Sequence, residues 1–285
     1  MKAVIPAAGL GLRFLPLTKE QPKEMLPVVD KPTIQYVVEE AIGAGIEDIL
    51  IVTGRNKTSI EDHFDCSYGL EGILKVQNKS HYLETVRSIS NLANIHYIRQ
   101  KEQRGLGDAI MTASKFIGDE TFAVMLGDTV NISEVPVVKQ LKDLYDKYRC
   151  SVIAVEPVSR EKIKDYGIIR YSSISERVFD IQELVEKPSP EKAPSNMGIT
   201  GTYILTPRIF ECISRTKPGY NGEIQLTDAM QLLLKEERIL AYQFEGKRYD
   251  IGDMLGWLKT NMELSLNHPV YGPELRKYIT EILKK

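Results

Sequence analysis

The 285-residue chain is 42% hydrophobic and 27% charged, with a net charge of −2. This is the balance of a water-soluble protein long enough to bury a sizeable core. It argues against a partner held by bulk charge, such as nucleic acid or an anionic membrane. Cys66, Cys150 and Cys212 stand far apart, outside any metal-ligand spacing. They predict reduced structural thiols in a cytoplasmic protein. No signal-peptide pattern precedes Ala3-Val4-Ile5, and no apolar run approaches the ~20 residues of a membrane span.

In chain order, Lys2 to Pro6 reads as a strand and Thr33 to Ala44 as a helix with Ile34, Val37, Val38 and Ala41 on one face. Asp48 to Thr53 is a buried strand, Ser80 to Asn91 a helix and Ile95 to Ile98 a strand. Gly107 to Phe116 is a helix, Phe122 to Leu126 a strand and Val135 to Tyr148 a helix. This alternation predicts a mainly parallel central sheet with helices on both faces. Beyond Ser151 the strands crowd together: Ser151 to Val155, Gly167 to Tyr171, Val178 to Leu184 and Thr200 to Leu205. They predict an antiparallel extension. A strand at Leu240 to Phe244 lies among helices at Gln225 to Glu236, Leu255 to Asn267 and Glu274 to Lys284. With no repeat and no Gly/Ser linker, a single domain over 1–285 is expected. Within it the pattern marks three stretches, 1–150, 151–245 and a C-terminal helical part, 246–285.

The first strand enters Pro6-Ala7-Ala8-Gly9-Leu10-Gly11-Leu12-Arg13. A glycine turn lets backbone N–H groups approach phosphates, because no side chain intervenes. A tight strand-to-helix turn explains Gly9-x-Gly11 equally well. A dinucleotide loop needs a further glycine where Phe14 stands, and a P-loop needs Gly-Lys-Ser/Thr; both are missing. The cations Arg13, Lys19, Lys23 and Lys31 follow, spaced by Pro16, Pro22, Pro27 and Pro32. Prolines at this density forbid a continuous helix and predict a stiff extended loop. Cations on such a loop suit a triphosphate.

Gly9-x-Gly11-x-Arg13-x-x-Pro16-x-Thr18-Lys19-x-x-Pro22-Lys23-Glu24-Met25-Leu26-Pro27 resembles the signature of the sugar-1-phosphate nucleotidyltransferases. The likeness continues through Gly105-Leu106-Gly107, Val185-Glu186-Lys187-Pro188 and Glu223-Ile224-Gln225-Leu226-Thr227-Asp228, and so spans nearly the whole chain. The Lys-Glu-Met-Leu-Pro form is similar to the bacterial and archaeal branch that acts on UTP and glucose 1-phosphate. The resemblance implies a Rossmann-like nucleotide-diphospho-sugar transferase fold. It also implies an enzyme that joins the two substrates to give UDP-glucose and pyrophosphate. Leu12 stands where the family usually has Thr or Ser.

The resemblance assigns roles. Arg13 suits the leaving pyrophosphate, since a guanidinium fork holds two phosphate oxygens at once. Lys23 suits the α-phosphate. Ala8, Gly9, Gly11, Gln100 and Gly105 line the nucleotide, with Gln100 offering both donor and acceptor to uracil. Lys187 holds the sugar phosphate, Glu186 accepts from sugar hydroxyls, and Gly167 lets backbone approach the sugar. By local pattern alone, Glu186-Lys187 equally fits a surface pair, with Pro188 keeping Lys187 extended. Asp128 follows a strand, and Asp250 sits in a turn after the Leu240 to Phe244 strand. Such aspartates often cap or turn the chain; the resemblance implies that they bind Mg²⁺. Asp253 ranks below Asp250, and Thr129 replaces a second Asp common in relatives.

The scattered histidines support neither a His-based metal site nor a triad, and Trp257 reads as packing. The resemblance further implies a homodimer or homotetramer. A methyl group separates thymine from uracil and is worth only ~1–3 kcal/mol in a pocket, so some acceptance of dTTP is expected. Two rivals are a sister enzyme for dTTP or another sugar 1-phosphate, and a non-catalytic sugar-nucleotide sensor. A sensor is expected to have lost some of Arg13, Lys23, Asp128, Lys187 and Asp250, and all are present.

Overall fold

The computed structural model describes residues 1–284. The chain runs β1 (Lys2–Pro6), β2 (Pro27–Val28), β3 (Lys31–Pro32), α1 (Thr33–Gly43), β4 (Asp48–Thr53), α2 (Thr58–Phe64), α3 (Tyr68–Val76), α4 (Ser80–Ser90) and β5 (Asn94–Arg99). It continues through α5 (Leu106–Thr112), α6 (Ser114–Ile117), β6 (Phe122–Met125), β7 (Thr129–Ile132), α7 (Val137–Tyr148), β8 (Ser151–Pro157), β9 (Gly167–Ser173), β10 (Val178–Glu186) and β11 (Met197–Leu205). The last elements are α8 (Ile209–Arg215), α9 (Leu226–Leu233), β12 (Ile239–Gln243), β13 (Lys247–Asp250), α10 (Met254–Asn267) and α11 (Gly272–Ile282).

Nine strands form one sheet in the order β5-β4-β1-β6-β11-β8-β12-β10-β9. From β5 to β6 the neighbours are parallel. Beyond β6 they are antiparallel except for β12 beside β8. The α/β fold with its antiparallel extension is as the sequence predicts. In β1, Ala3, Val4 and Ile5 are all fully buried. Ala3 and Ile5 pack with α1 and α7 on one face, and Val4 packs with α5, α8 and α9 on the other. A strand covered on both faces therefore reads as an unbroken apolar run. In α1, Ile34, Val37, Val38 and Ala41 form the buried stripe.

Two expectations are corrected by local chemistry. The helix expected over Gly107 to Phe116 breaks at Ala113 into α5 and α6. The proline-spaced loop is not extended but folds into three short 3₁₀ turns, Leu12–Phe14, Leu17–Lys19 and Lys23–Met25. Pro16 and Pro22 each stand just before a turn, where a missing N–H is not needed and a fixed φ is pre-organised. The turns are anchored because Phe14 is fully buried. It packs with Leu26, Val28, Val130, Tyr249 and Ile251 in a small core of its own.

That small core also fixes a two-stranded ribbon, β7 against β13. Its register sets Thr129 opposite Asp250, and the Ile251 N–H donates to the Asp128 carbonyl at 3.2 Å. Asp250 is therefore the last residue of a strand, not part of a turn after the strand ending near Phe244. Trp257 on α10 packs on the same core and donates its indole N–H to the Pro27 carbonyl at 2.9 Å. No helix is long and apolar enough to cross a membrane among the described residues.

Candidate active site

Two cavities adjoin: the larger opens at the carboxyl ends of the parallel strands β1, β5 and β6, where ligands of open α/β sheets bind, and the smaller lies against β9, β10 and β11. One, of about 550 Å³, is lined by Ala8, Gly9, Gly11, Lys23, Gln100 and Gly105. The other, of about 290 Å³, is lined by Gly167, Glu186, Thr227, Arg248 and Asp250. Arg13, Asp128 and Lys187 line both. Every residue that the resemblance assigns to substrate or metal thus lines one cavity or both, whereas the lower-ranked Asp253 lines neither and instead caps α10, accepting from the Gly256 N–H at 2.7 Å. The four cations of the proline-spaced segment do not stay together. Lys19 is exposed and borders neither cavity. Lys31 is drawn off to Glu39 and the face of Tyr36.

Gly11 holds the loop through its backbone. Its φ of +68° is costly for a residue with a side chain. Its carbonyl accepts from the Thr18 hydroxyl at 2.7 Å. At the next strand end, the Gln103 amide donates to the Ala8 carbonyl at 2.7 Å. The Leu12 side chain is 65% exposed, so the family's missing hydroxyl leaves no buried gap.

Lys23 leaves its 3₁₀ turn to meet Asp128 Oδ2 at 2.5 Å. Burial works against its charge, but Asp128 and Glu24 outweigh that and hold the ammonium above its usual pKa. Glu24 itself turns inward, 1% exposed, and pairs with Lys57 at 2.8 Å. The turn that carries Lys23 is thereby tied to the start of α2. Sequence reading missed Lys57, because nothing local marks a lysine that will be buried.

Asp250 is gripped from behind. Burial raises the cost of its charge, yet Arg248 beside it and the Tyr166 hydroxyl keep its pKa below the usual carboxylate range. Tyr166 donates to Asp250 Oδ2. Arg248 lies 3.4 Å from the same oxygen, and its Nε and Nη2 donate to Glu156 Oε1 at 2.8 and 2.5 Å. Tyr166 stood in the motif beside Gly167 and was within reach of sequence reasoning. Arg248 was not, since its position depends on the β7–β13 pairing.

Lys187 corrects another expectation. Its φ is +43°, so it is left-handed, not extended. Proline at the next position disfavours the right-handed helical region but does not by itself choose between the alternatives. The Lys187 N–H donates to the Tyr166 carbonyl at 3.1 Å, which fixes this conformation, and the ammonium lies 5.1 Å from the Tyr220 ring centroid. Such a backbone costs roughly 1–3 kcal/mol and persists where the surroundings over-determine it. Next to it, Glu186 Oε2 accepts from the Thr227 hydroxyl at 2.6 Å. A side chain at Gly167 would crowd both groups, with Cβ 3.0 Å from Thr227 Oγ1 and 3.3 Å from Glu186 Oε2.

Gln100 also differs from expectation. It is 5% exposed, and its amide nitrogen donates to Asp108 Oδ2 at 2.7 Å and to the Gly105 carbonyl at 3.3 Å. Its donor half is spent inside the chain, so only its carbonyl oxygen is left for a ligand.

A profile of the nucleotidyl transferase family matches residues 2–266. The chain belongs to the nucleotidyl transferase family. Within that family it is 53% identical over 284 residues to the UTP–glucose-1-phosphate uridylyltransferase YngB of Bacillus subtilis, covering 100% of this chain and 96% of the relative. It is 52% identical over 283 residues to a putative UTP–glucose-1-phosphate uridylyltransferase of Methanocaldococcus jannaschii, covering 99% and 98%. Among solved structures, a UDP-glucose pyrophosphorylase complexed with UDP-glucose matches with a TM-score of 0.85 at 51% identity, covering 92% of this chain and 97% of that one. A UTP-bound UDP-glucose pyrophosphorylase from Acinetobacter baumannii matches with a TM-score of 0.89 at 36% identity, covering 98% of each chain.

Proposed function

We propose that this chain transfers the uridylyl group of UTP to glucose 1-phosphate, releasing pyrophosphate and forming UDP-glucose. One observation carries the reading: a glycine-lined cavity and a carboxylate-lined cavity meet at Arg13, Asp128 and Lys187. Two ligands joined through phosphate need two compartments with cations at their seam. The names of the relatives supply the substrates, UTP and glucose 1-phosphate.

In the proposed mechanism, an oxygen of the sugar phosphate attacks the α-phosphorus of UTP in line with the departing pyrophosphate. The phosphate is already ionised at neutral pH, so the chain supplies no base and no covalent nucleophile. Its work is positioning and charge stabilisation. Lys187 and Glu186 hold the sugar phosphate and the sugar. Lys23 and Arg13 take charge on the α-phosphate and the pyrophosphate. Ala8, Gly9, Gly11, Gln100 and Gly105 seat the nucleotide.

Asp128 and Asp250 are the proposed metal ligands. Asp250 ends one strand of the β7–β13 ribbon, Asp128 immediately precedes the other, and both line the smaller cavity. No group of three or more His, Cys, Asp or Glu suited to a metal occurs among the described residues. Two carboxylates alone fit Mg²⁺, which completes its shell with water and substrate phosphates. When bound there, Mg²⁺ would neutralise phosphate charge and polarise the phosphoryl group.

The division into a nucleotide half, 1–150, a sugar-phosphate half, 151–245, and a helical part, 246–285, belongs to the same reading. So do the cytoplasmic setting, which suits the free cysteines, and a homodimer or homotetramer. Leu255, Leu258, Met262, Tyr278 and Leu283 on or beside α10 and α11 are exposed and supply an apolar surface for self-contact.

The test offers a mixture of UTP and dTTP with glucose, galactose and N-acetylglucosamine 1-phosphates and identifies the products by mass. UDP-glucose is expected to dominate. Predominant dTDP-sugar, or a different UDP-sugar, would transfer the chain to the sister class.

A further inference from the structure

We propose that Asp108 sets the nucleobase preference of the cavity by locking Gln100 in one amide orientation. The proposal rests on the reading that Gln100 faces the base.

A carboxamide can turn either its oxygen or its nitrogen to a ligand, and only its neighbours decide which. Here two neighbours decide together. Asp108 Oδ2 at 2.7 Å and the Gly105 carbonyl at 3.3 Å are both acceptors, so the Gln100 nitrogen must face them. Both of its hydrogens are then used. Flipping the amide would set its oxygen against a carboxylate and a carbonyl, leaving three acceptors with no proton between them. Asp108 is itself held by Arg104, whose guanidinium donates to Oδ1 at 2.8 Å, while α5 carries the residue in its first turn. Asp108 borders neither cavity, whereas Gln100 lines the larger one. Asp108 is thus a positioning residue that acts through Gln100.

The cavity accordingly shows the base a hydrogen-bond acceptor and no donor at this point. A ring N–H meets it well, as in the imide of uracil or thymine. The bare ring nitrogen of cytosine at the same place meets an acceptor with an acceptor. Preference for UTP over CTP then depends on a residue the base never touches.

The test compares kcat/KM for UTP and for CTP in wild type, Asp108→Asn, Asp108→Ser, Asp108→Glu and Gln100→Leu, with melting curves to confirm folding. Asn and Ser can donate as well as accept, so they lift the closer of the two constraints on Gln100 and leave only the longer contact to the Gly105 carbonyl. In either variant the UTP:CTP ratio is expected to fall about tenfold, the scale of one mismatched hydrogen bond. Asp108→Glu, which can only accept, is expected to retain most of the preference. A role for Asp108 in structure alone would lower both rates together and leave the ratio in place. An unchanged ratio in both Asp108→Asn and Asp108→Ser, with the ratio changed in Gln100→Leu, overturns the proposal while the base-site reading stands. An unchanged ratio in Gln100→Leu as well overturns it through its premise.

Discussion

Lys23 is held between a buried environment and two carboxylates, and its side chain ends where the cavities meet. If it stabilises charge on the α-phosphate, its removal acts on the transition state far more than on the fold. Lys23→Ala is expected to lower kcat by roughly 10²-fold or more, with a small change in melting temperature. Turnover near wild type would remove Lys23 from the mechanism. Asp250 gives the matching prediction for the metal. Asp250→Asn keeps the shape and removes the charge that Arg248 and Tyr166 maintain. Its Mg²⁺ titration is expected to show no activation in the range that activates wild type. A superimposable titration would contradict the assignment. Both residues were visible in the sequence because they lie in motifs. The left-handed backbone of Lys187 and the spent amide of Gln100 were not. Each depends on a partner brought in by folding, the Tyr166 carbonyl in one case and Asp108 in the other.

At the scale of elements, the buried Glu24–Lys57 pair joins the 3₁₀ turn of Lys23 to the start of α2. Removing one member of such a pair leaves an uncompensated buried charge, which costs about 3–5 kcal/mol. Lys57→Met is expected to shift the urea midpoint down accordingly. The double variant Glu24→Gln/Lys57→Met is expected to recover most of the loss. A double variant no better than the single one would show that the pair is not the source. Helix α1 was legible from its apolar stripe and strand β4 from its unbroken apolar run. Two of those missed have local reasons. Helix α3 contains Gly69 and Gly72, which weaken helix propensity by about 1 kcal/mol each. Strand β13 is Lys-Arg-Tyr-Asp, with one apolar body among charges, and only its pairing with β7 makes it a strand.

At the scale of the whole molecule, Glu40 joins three elements. From α1 it accepts from Asn131 on β7 at 3.0 Å and from the Val138 N–H on α7 at 3.1 Å. Burial pushes its carboxyl up to about 7, against the lowering effect of those hydrogen bonds. The unfolded chain holds this proton less tightly. Glu40 therefore contributes stability that is full below the ordinary carboxylate range and is lost as pH rises through about 7. Glu40→Gln removes this titration, and Asn131 can flip to present the Oδ1 that now has no partner. Between about pH 5 and pH 8, wild type is expected to lose more stability than the variant. Parallel pH profiles of the melting temperature would contradict this.

The proposed reaction joins UTP to glucose 1-phosphate where two cavities meet at Arg13, Asp128 and Lys187. The direct test is the initial rate of pyrophosphate release with glucose 1-phosphate and Mg²⁺, comparing UTP, dTTP, CTP, ATP and GTP. The predicted result is release that requires both substrates and is fastest with UTP. Release fastest with another nucleotide, or none with any of them, would overturn that assignment.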